Sequence, residues 1–88
     1  MSFTVHLAQP AVKVLEGLDR RMERRVRERL GQLGEDAYDP RQSKRIVGVE
    51  GLRSARVGGW RVLFTVNDEE RAVYVVALRP RGQAYKGL

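Results

Sequence analysis

Two adjacent glycines bring two arginines together in the predicted structure. Gly58-Gly59 separates two strand-like stretches, residues 52–57 and 60–66, and paired glycines signal a two-residue hairpin turn whose central positions both take positive φ. That turn places Val57 opposite Trp60 and Arg56 opposite Arg61, with the Cβ atoms of each pair about 4.5–5.5 Å apart on one face. Because like charges in this position repel, we predict that an anion lies between the two arginines.

Further cations and a phenol follow at the end of the chain. Arg79 and Arg81 flank Pro80, and Tyr85 follows four residues later. A tyrosine beside such a cluster can stack on a base or relay a proton. We therefore predict a site formed by Arg56, Arg61, Arg79, Arg81 and Tyr85, and we expect four further basic residues to bind RNA: Lys44, Arg45, Arg53 and Lys86.

The charge of the chain is concentrated in its second half. The 88 residues include 17 Lys+Arg and 11 Asp+Glu, for a formal net charge of +6. Residues 1–40 carry equal numbers of basic and acidic side chains, so the whole excess lies in residues 41–88. This asymmetry favours a partner bearing phosphates, docked on the second half.

Several kinds of site are excluded by composition. The chain has no cysteine, which removes disulfides, thiolate nucleophiles and sulfur-ligated zinc. His6 is the only histidine, so a multi-histidine metal site is excluded, and we interpret His6 as an ordinary strand residue. We expect neither a metal nor a cofactor. No apolar run approaches the roughly 20 residues of a membrane span, and we expect a cytoplasmic protein without a leader peptide.

The first half of the sequence predicts one strand and two helices. Residues 3–8 alternate between apolar and polar side chains, as in a strand with one buried face. Pro10 suits the first turn of a helix that weakens at Gly17, and Asp19 is a candidate N-cap for a second helix over residues 20–33. In that helix, arginines and glutamates surround a narrow apolar stripe, so we interpret its charged face as a solvated surface.

The second half predicts an antiparallel sheet. Residues 34–51 have no sustained periodicity and indicate a long or partly extended connection. Residues 52–57, 60–66 and 72–79 are three strand candidates. The predicted fold is a single α+β domain over residues 1–88, in the order β-α-α-β-β-β. Its two N-terminal helices pack on one face of a small, twisted, mostly antiparallel sheet.

The motifs of the second half resemble those of the RelE/ParE superfamily of toxin–antitoxin toxins. The resemblance covers nearly the whole chain. Its specific parts are the segment Arg56-Val57-Gly58-Gly59-Trp60-Arg61, an Arg-Val-Gly-x-aromatic-Arg motif, and the C-terminal Arg81-x-x-x-Tyr85. The RelE branch implies a ribosome-dependent ribonuclease that cuts messenger RNA in the A site, without a metal, by attack of a ribose 2′-hydroxyl on the adjacent phosphate.

The resemblance also implies roles for individual residues. Arg61 matches the arginine that stabilises the phosphate, and Tyr85 matches a tyrosine that stacks on or orients a nucleotide. Arg79 and Arg81 match basic residues that contact the phosphate or protonate the leaving oxygen. Ser54 and Arg56 stand where family members often have a Lys-x-Lys pair. Because arginine is a poor general base, Lys44, Lys86 and Tyr85 are the candidate bases, and the ribosome is an alternative source.

Two other functions remain open at this stage. The ParE branch, with the same fold, implies poisoning of DNA gyrase, and a non-catalytic module that binds RNA or antitoxin would use the same basic face. The superfamily also implies a cognate RelB-like antitoxin, which covers the basic site and links the toxin to operator DNA. We expect the free toxin to be monomeric.

Overall fold

The computed structural model describes residues 2–41 and 43–83. The elements follow in the order β1 (Thr4–Leu7), α1 (Gln9–Glu16), α2 (Arg20–Glu35), β2 (Lys44–Arg45), β3 (Arg53–Val57), β4 (Trp60–Asn67) and β5 (Ala72–Pro80), and a short 3-10 helix covers Arg81–Gln83. The predicted order is confirmed. The connection before β3 contributes an additional strand, β2, that the irregular sequence pattern did not reveal.

Five strands form one mixed sheet in the order β1-β5-β4-β3-β2. The pairs β2–β3, β3–β4 and β4–β5 are antiparallel, whereas β1 runs parallel to β5. The prediction of a mostly antiparallel sheet is therefore confirmed. Neither described helix is long and apolar enough to cross a membrane.

Both helices pack on the same face of the sheet and bury the core against it. Asp19 caps α2 as predicted, because its Oδ1 accepts a hydrogen bond of 2.9 Å from the backbone N–H of Met22. The apolar stripe of α2 then faces inward, while the central strands contribute alternate residues to the same core. Its buried members include Leu15, Val26, Leu30, Leu33, Val62, Phe64, Val73, Val75 and Leu78.

A bulge in β5 changes which residues face the helices. Leu63 pairs with Ala77 and Phe64 with Val75, so Val76 is an extra residue in β5. Without it, strict alternation from Val75 would turn Arg79 toward the core. The bulge instead turns Leu78 toward the helices and Arg79 to the open face of the sheet.

Candidate functional site

The β3–β4 hairpin creates a row of arginines on the open face of the sheet. Arg56 lies directly opposite Arg61, and Arg61 lies directly opposite Arg79. The predicted register, with Val57 opposite Trp60, is confirmed. The turn differs in one respect, because Gly58 has a φ of 57° and Gly59 does not have a positive φ. One left-handed glycine, at the first central position, is therefore sufficient for this turn.

A cleft of about 670 Å³ opens beside this row. Seven basic side chains line it, and none of its lining residues in the described part of the chain is acidic. Such a concentration of one charge has a strong positive potential and attracts polyanions. We call it the arginine cleft; it is lined by Arg25, Arg29, Pro40, Arg41, Ser43, Lys44, Ser54, Arg56, Gly58, Arg61 and Arg81.

Arg61, which lines the arginine cleft, has an unsatisfied side-chain nitrogen. Its Nε atom is buried and has no hydrogen-bond partner among residues 2–41 and 43–83. Buried polar atoms in native proteins are almost always paired, so an unpaired donor needs an explanation. A guanidinium presents its N–H groups as a planar fork that fits two oxygens of a phosphate. A phosphate bound in the cleft can supply the missing acceptor if the Arg61 side chain turns so that its Nε faces the cleft.

Helix α2 contributes two arginines to the cleft, Arg25 and Arg29. Because β2 pairs only with the first two residues of β3, the rest of the outer edge of β3 is free for α2 to cover. The Nη1 of Arg29 donates a 2.8 Å hydrogen bond to the Arg56 carbonyl oxygen, and its Nε donates one of 3.0 Å to Gln32 Oε1. The interpretation of the charged face of α2 as merely solvated is therefore incomplete for Arg29, whereas Arg25 is exposed as expected and also lines the cleft.

Lys44 enters the cleft from the short strand β2. It pairs in register with Ser54, so both side chains leave the same face of the β2–β3 ribbon. Arg41, from the preceding loop, is held by Asp39 through contacts of 3.1 and 3.2 Å. The hydrogen bond from Arg41 holds the pKa of the half-buried Asp39 carboxyl below its usual value. The sequence analysis did not identify Arg41 as a site residue, because a loop has no hydrophobic periodicity from which its position could be predicted.

The other predicted site residues lie in different places. Arg81 begins the 3-10 helix and lines the cleft, and its backbone N–H donates a 2.8 Å hydrogen bond to the Gly59 carbonyl oxygen. Arg79 lies on the same face as Arg61 but does not line the cleft. Arg45 and Arg53 leave the opposite face of the β2–β3 ribbon. Tyr85 and Lys86 lie outside the described residues.

The chemistry of the cleft is that of an anion site with one amine. Arginine stays protonated at any ordinary pH, so the arginines can hold charge but cannot accept a proton. Lys44 is the one lining amine among the residues that the structure describes. In the described residues no group of three or more histidine, cysteine or acidic side chains is placed to hold a metal ion. The seven basic side chains of the cleft can bind phosphates and stabilise added negative charge.

Comparison with known proteins gives one family match. A family model described as the ParE toxin of the type II toxin–antitoxin system, parDE, matches residues 5–85. A comparison with curated proteins gave no match.

Solved structures of toxins share the fold. The chain is 29% identical to a chain of the archaeal RelE–RelB complex from Pyrococcus horikoshii, with a TM-score of 0.80 over 96% of this chain and 100% of that chain. It is 28% identical to a chain of the toxin–antitoxin complex RelBE2 from Mycobacterium tuberculosis, with a TM-score of 0.79 over 92% and 100%. The isolated RelE toxin of E. coli, 16% identical, matches with a TM-score of 0.78 over 90% and 84%.

Proposed function

We propose that this chain, which belongs to the ParE toxin family of type II toxin–antitoxin systems, cuts messenger RNA in the ribosomal A site. The protein is a type II toxin with a RelE-like fold. The observation that carries the proposal is a cleft lined by seven basic and no acidic side chains among the described residues, one of which, Arg61, has a buried Nε without a partner. A phosphodiester placed there satisfies the guanidinium and gains negative charge as it reacts.

In the proposed reaction, the ribose 2′-oxygen forms a bond to phosphorus while the bond from phosphorus to the 5′-oxygen breaks. Lys44 is the base that accepts the proton of the 2′-hydroxyl, and the leaving oxygen takes a proton from solvent. Arg61 and Arg56 bind the non-bridging oxygens, and Arg81 stabilises the leaving oxygen. Preorganised donors of this kind act where charge develops in the transition state. The products are a 2′,3′-cyclic phosphate and a 5′-hydroxyl.

Three parts of this proposal rest on the sequence. By the resemblance, Tyr85 stacks on or orients a nucleotide and Arg79 contacts the phosphate, and by its charge Lys86 binds RNA. Tyr85 and Lys86 are also the alternative bases to Lys44. The proposed metal independence follows from the use of arginine cations in place of a metal ion.

The proposed partners are an antitoxin, the ribosome and messenger RNA. Two of the similar structures are complexes with RelB-type antitoxins, and the net charge of +6 suits an acidic partner. The toxin reaches operator DNA only through its antitoxin, and the free toxin is a cytoplasmic monomer.

Poisoning of DNA gyrase is the second candidate, and the ParE description of the matching family model favours it. The two candidates separate in a supercoiling assay with purified gyrase. Under the RNA proposal, the wild-type protein leaves supercoiling unchanged. If the protein inhibited supercoiling and left messenger RNA intact, gyrase poisoning would replace RNA cleavage as the proposed function.

Primer extension on a defined messenger in a reconstituted translation reaction tests the proposal. We expect breaks only when ribosomes are present, breaks that persist with a metal chelator, and loss of the breaks in Arg61→Ala. Arg27→Ala is the matched control, because Arg27 lies on the exposed face of α2, paired with Glu23 at 2.8 Å, and outside the arginine cleft. Absence of breaks with every variant would favour gyrase poisoning or a binding-only protein.

A further inference from the structure

A second pair of opposed arginines lies on the other face of the β2–β3 ribbon. Arg45 is directly opposite Arg53, just as Arg56 is opposite Arg61 in the arginine cleft. Adjacent residues of a strand point to opposite faces, so Lys44 and Ser54 face the cleft while Arg45 and Arg53 face away from it. Like charges placed side by side are unfavourable without a counter-charge. The ribbon therefore has a second position suited to an anion.

An aromatic ring lies beside this second pair. The guanidinium carbon of Arg53 is 5.2 Å from the centroid of the Tyr38 ring, and Tyr38 is 47% exposed. The Tyr38 hydroxyl donates a 2.9 Å hydrogen bond to Asp68 Oδ2, which fixes the orientation of the ring. Partial burial and this hydrogen bond raise the pKa of the phenol. The ring is therefore neutral, oriented and accessible.

Arg53 is held in place by Ser43. The Nε and Nη2 atoms of Arg53 donate hydrogen bonds of 3.2 and 3.1 Å to Ser43 Oγ. Ser43 is buried and donates its own hydroxyl proton to the Ala37 carbonyl oxygen at 2.6 Å. A fixed guanidinium loses little conformational entropy when it binds a ligand. The other N–H groups of Arg53 have no acceptor among the described residues, so they are available to donate hydrogen bonds to a ligand.

These groups surround a depression of about 500 Å³ that also includes one acidic residue, Glu50. We call it the Tyr38 surface; it is lined by Tyr38, Arg45, Glu50, Gly51, Arg53 and Val66. An aromatic ring beside cations is the combination that binds single-stranded nucleic acid, since bases stack on the ring and phosphates pair with the cations.

We propose that the Tyr38 surface is a second RNA site, which binds one nucleotide of single-stranded RNA by stacking its base on Tyr38 and pairing its phosphate with Arg45 and Arg53. The site is separate from the arginine cleft, because the two lie on opposite faces of the same ribbon. Ser43 lines the cleft and also anchors Arg53, so the two sites share one rigid support. Glu50 opposes the phosphate and weakens the binding.

The test measures binding of a fluorescent oligouridine by anisotropy, with 2′-O-methyl groups to prevent cleavage and without ribosomes. We expect Tyr38→Ala to weaken binding by about tenfold, as typical for loss of base stacking. Tyr38→Phe keeps the ring and should keep the wild-type affinity. Arg45→Ala should lower the slope of log K against log salt by about 0.7, as for one lost phosphate contact on a single strand. Glu50→Gln should bind more tightly.

Double variants establish whether the site is independent of the cleft. Independent sites give additive free energies, so Tyr38→Ala should weaken binding by the same factor in wild type and in Arg61→Ala. Photocrosslinking of 4-thiouridine RNA to the peptide containing Tyr38 shows, in the wild-type protein and in Arg61→Ala, whether the RNA lies at the Tyr38 surface. Thermal melting confirms that each variant is folded. Arg27→Ala again serves as the control for loss of one positive charge.

Three results would overturn the proposal. Wild-type affinity and crosslinking in Tyr38→Ala would remove the stacking role, and an effect of Tyr38→Ala that vanishes in Arg61→Ala would place its action in the cleft. An unchanged salt slope in Arg45→Ala would remove the phosphate contact assigned to Arg45. All three readouts are of binding, so failure of the proposed messenger cleavage leaves this test intact.

Discussion

Arg56 on β3 and Arg61 on β4 are directly opposed neighbours on the open face of the sheet. A hairpin selected for stability alone would place an opposite charge or an apolar residue at one of these positions, because opposed like charges are destabilising. The Nε of Arg61 is in addition buried without a partner in the described part of the chain. The pair thus holds unfavourable electrostatic energy that a bound phosphate can relieve.

Removal of one arginine from this pair should stabilise the free protein. We expect Arg56→Gln to raise the free energy of unfolding by up to about 1 kcal/mol at low salt. The gain should shrink at about 1 M salt, where the screening length falls to roughly 3 Å. Urea denaturation at two salt concentrations measures both effects. Arg27→Ala, which breaks an exposed ion pair, should instead be neutral or slightly destabilising, and a less stable Arg56→Gln at low salt would contradict the repulsion.

Substitution of Lys44 distinguishes proton transfer from phosphate binding. Lys44→Arg keeps the positive charge but cannot accept a proton. We therefore expect both Lys44→Arg and Lys44→Ala to cut messenger RNA about 10²- to 10⁴-fold more slowly, as for loss of a general base. Only Lys44→Ala should also bind RNA more weakly. Single-turnover cleavage and anisotropy measure the two effects, and wild-type cleavage by Lys44→Arg would assign the base to another group.

The hairpin turn should tolerate alanine at one glycine and not at the other. Gly58 has a φ of 57°, and a Cβ there would lie 2.9 Å from the Met22 methyl carbon. Left-handed backbone costs a residue with a Cβ about 1–2 kcal/mol, so Gly58→Ala should lower the unfolding free energy by at least this amount. A Cβ at Gly59 meets nothing within 4 Å. Gly59→Ala is therefore the control, and equal melting temperatures for the two variants would contradict the turn geometry.

Titration of Tyr38 should reveal its contact with Asp68. Burial is the largest cause of the raised phenol pKa, followed by the hydrogen bond to Asp68 and the charge of that carboxylate. Asp68→Asn should lower the pKa without fully restoring the ordinary value, because the burial remains. Since the folded-state pKa is the higher one, the stabilisation is complete below the unfolded value of about 10 and is lost as pH rises through the folded value. The pKa of Tyr38 is measured from the ultraviolet absorbance of tyrosinate, as the difference between the wild-type protein and Tyr38→Phe. An unchanged pKa in Asp68→Asn would exclude the hydrogen bond between Tyr38 and Asp68.

Local signals were sufficient for much of the fold. The paired glycines predicted the opposed positions of Arg56 and Arg61, and Asp19 predicted the start of α2, because turns and caps depend on residues close together in the chain. The bulge at Val76 was not predictable in this way. It depends on how β5 packs against the helices and β4, and it decides that Arg79 lies beside Arg61.

The sequence by itself determined the order of the elements, the hairpin register and the excess of positive charge in the second half. Only the tertiary structure decided which charges share a site. Arg29 reaches the carbonyl of Arg56 across 27 positions of sequence, and Lys44 and Arg45 separate onto two faces because β2 pairs with β3. Such convergence depends on packing between distant segments, and no local periodicity encodes it.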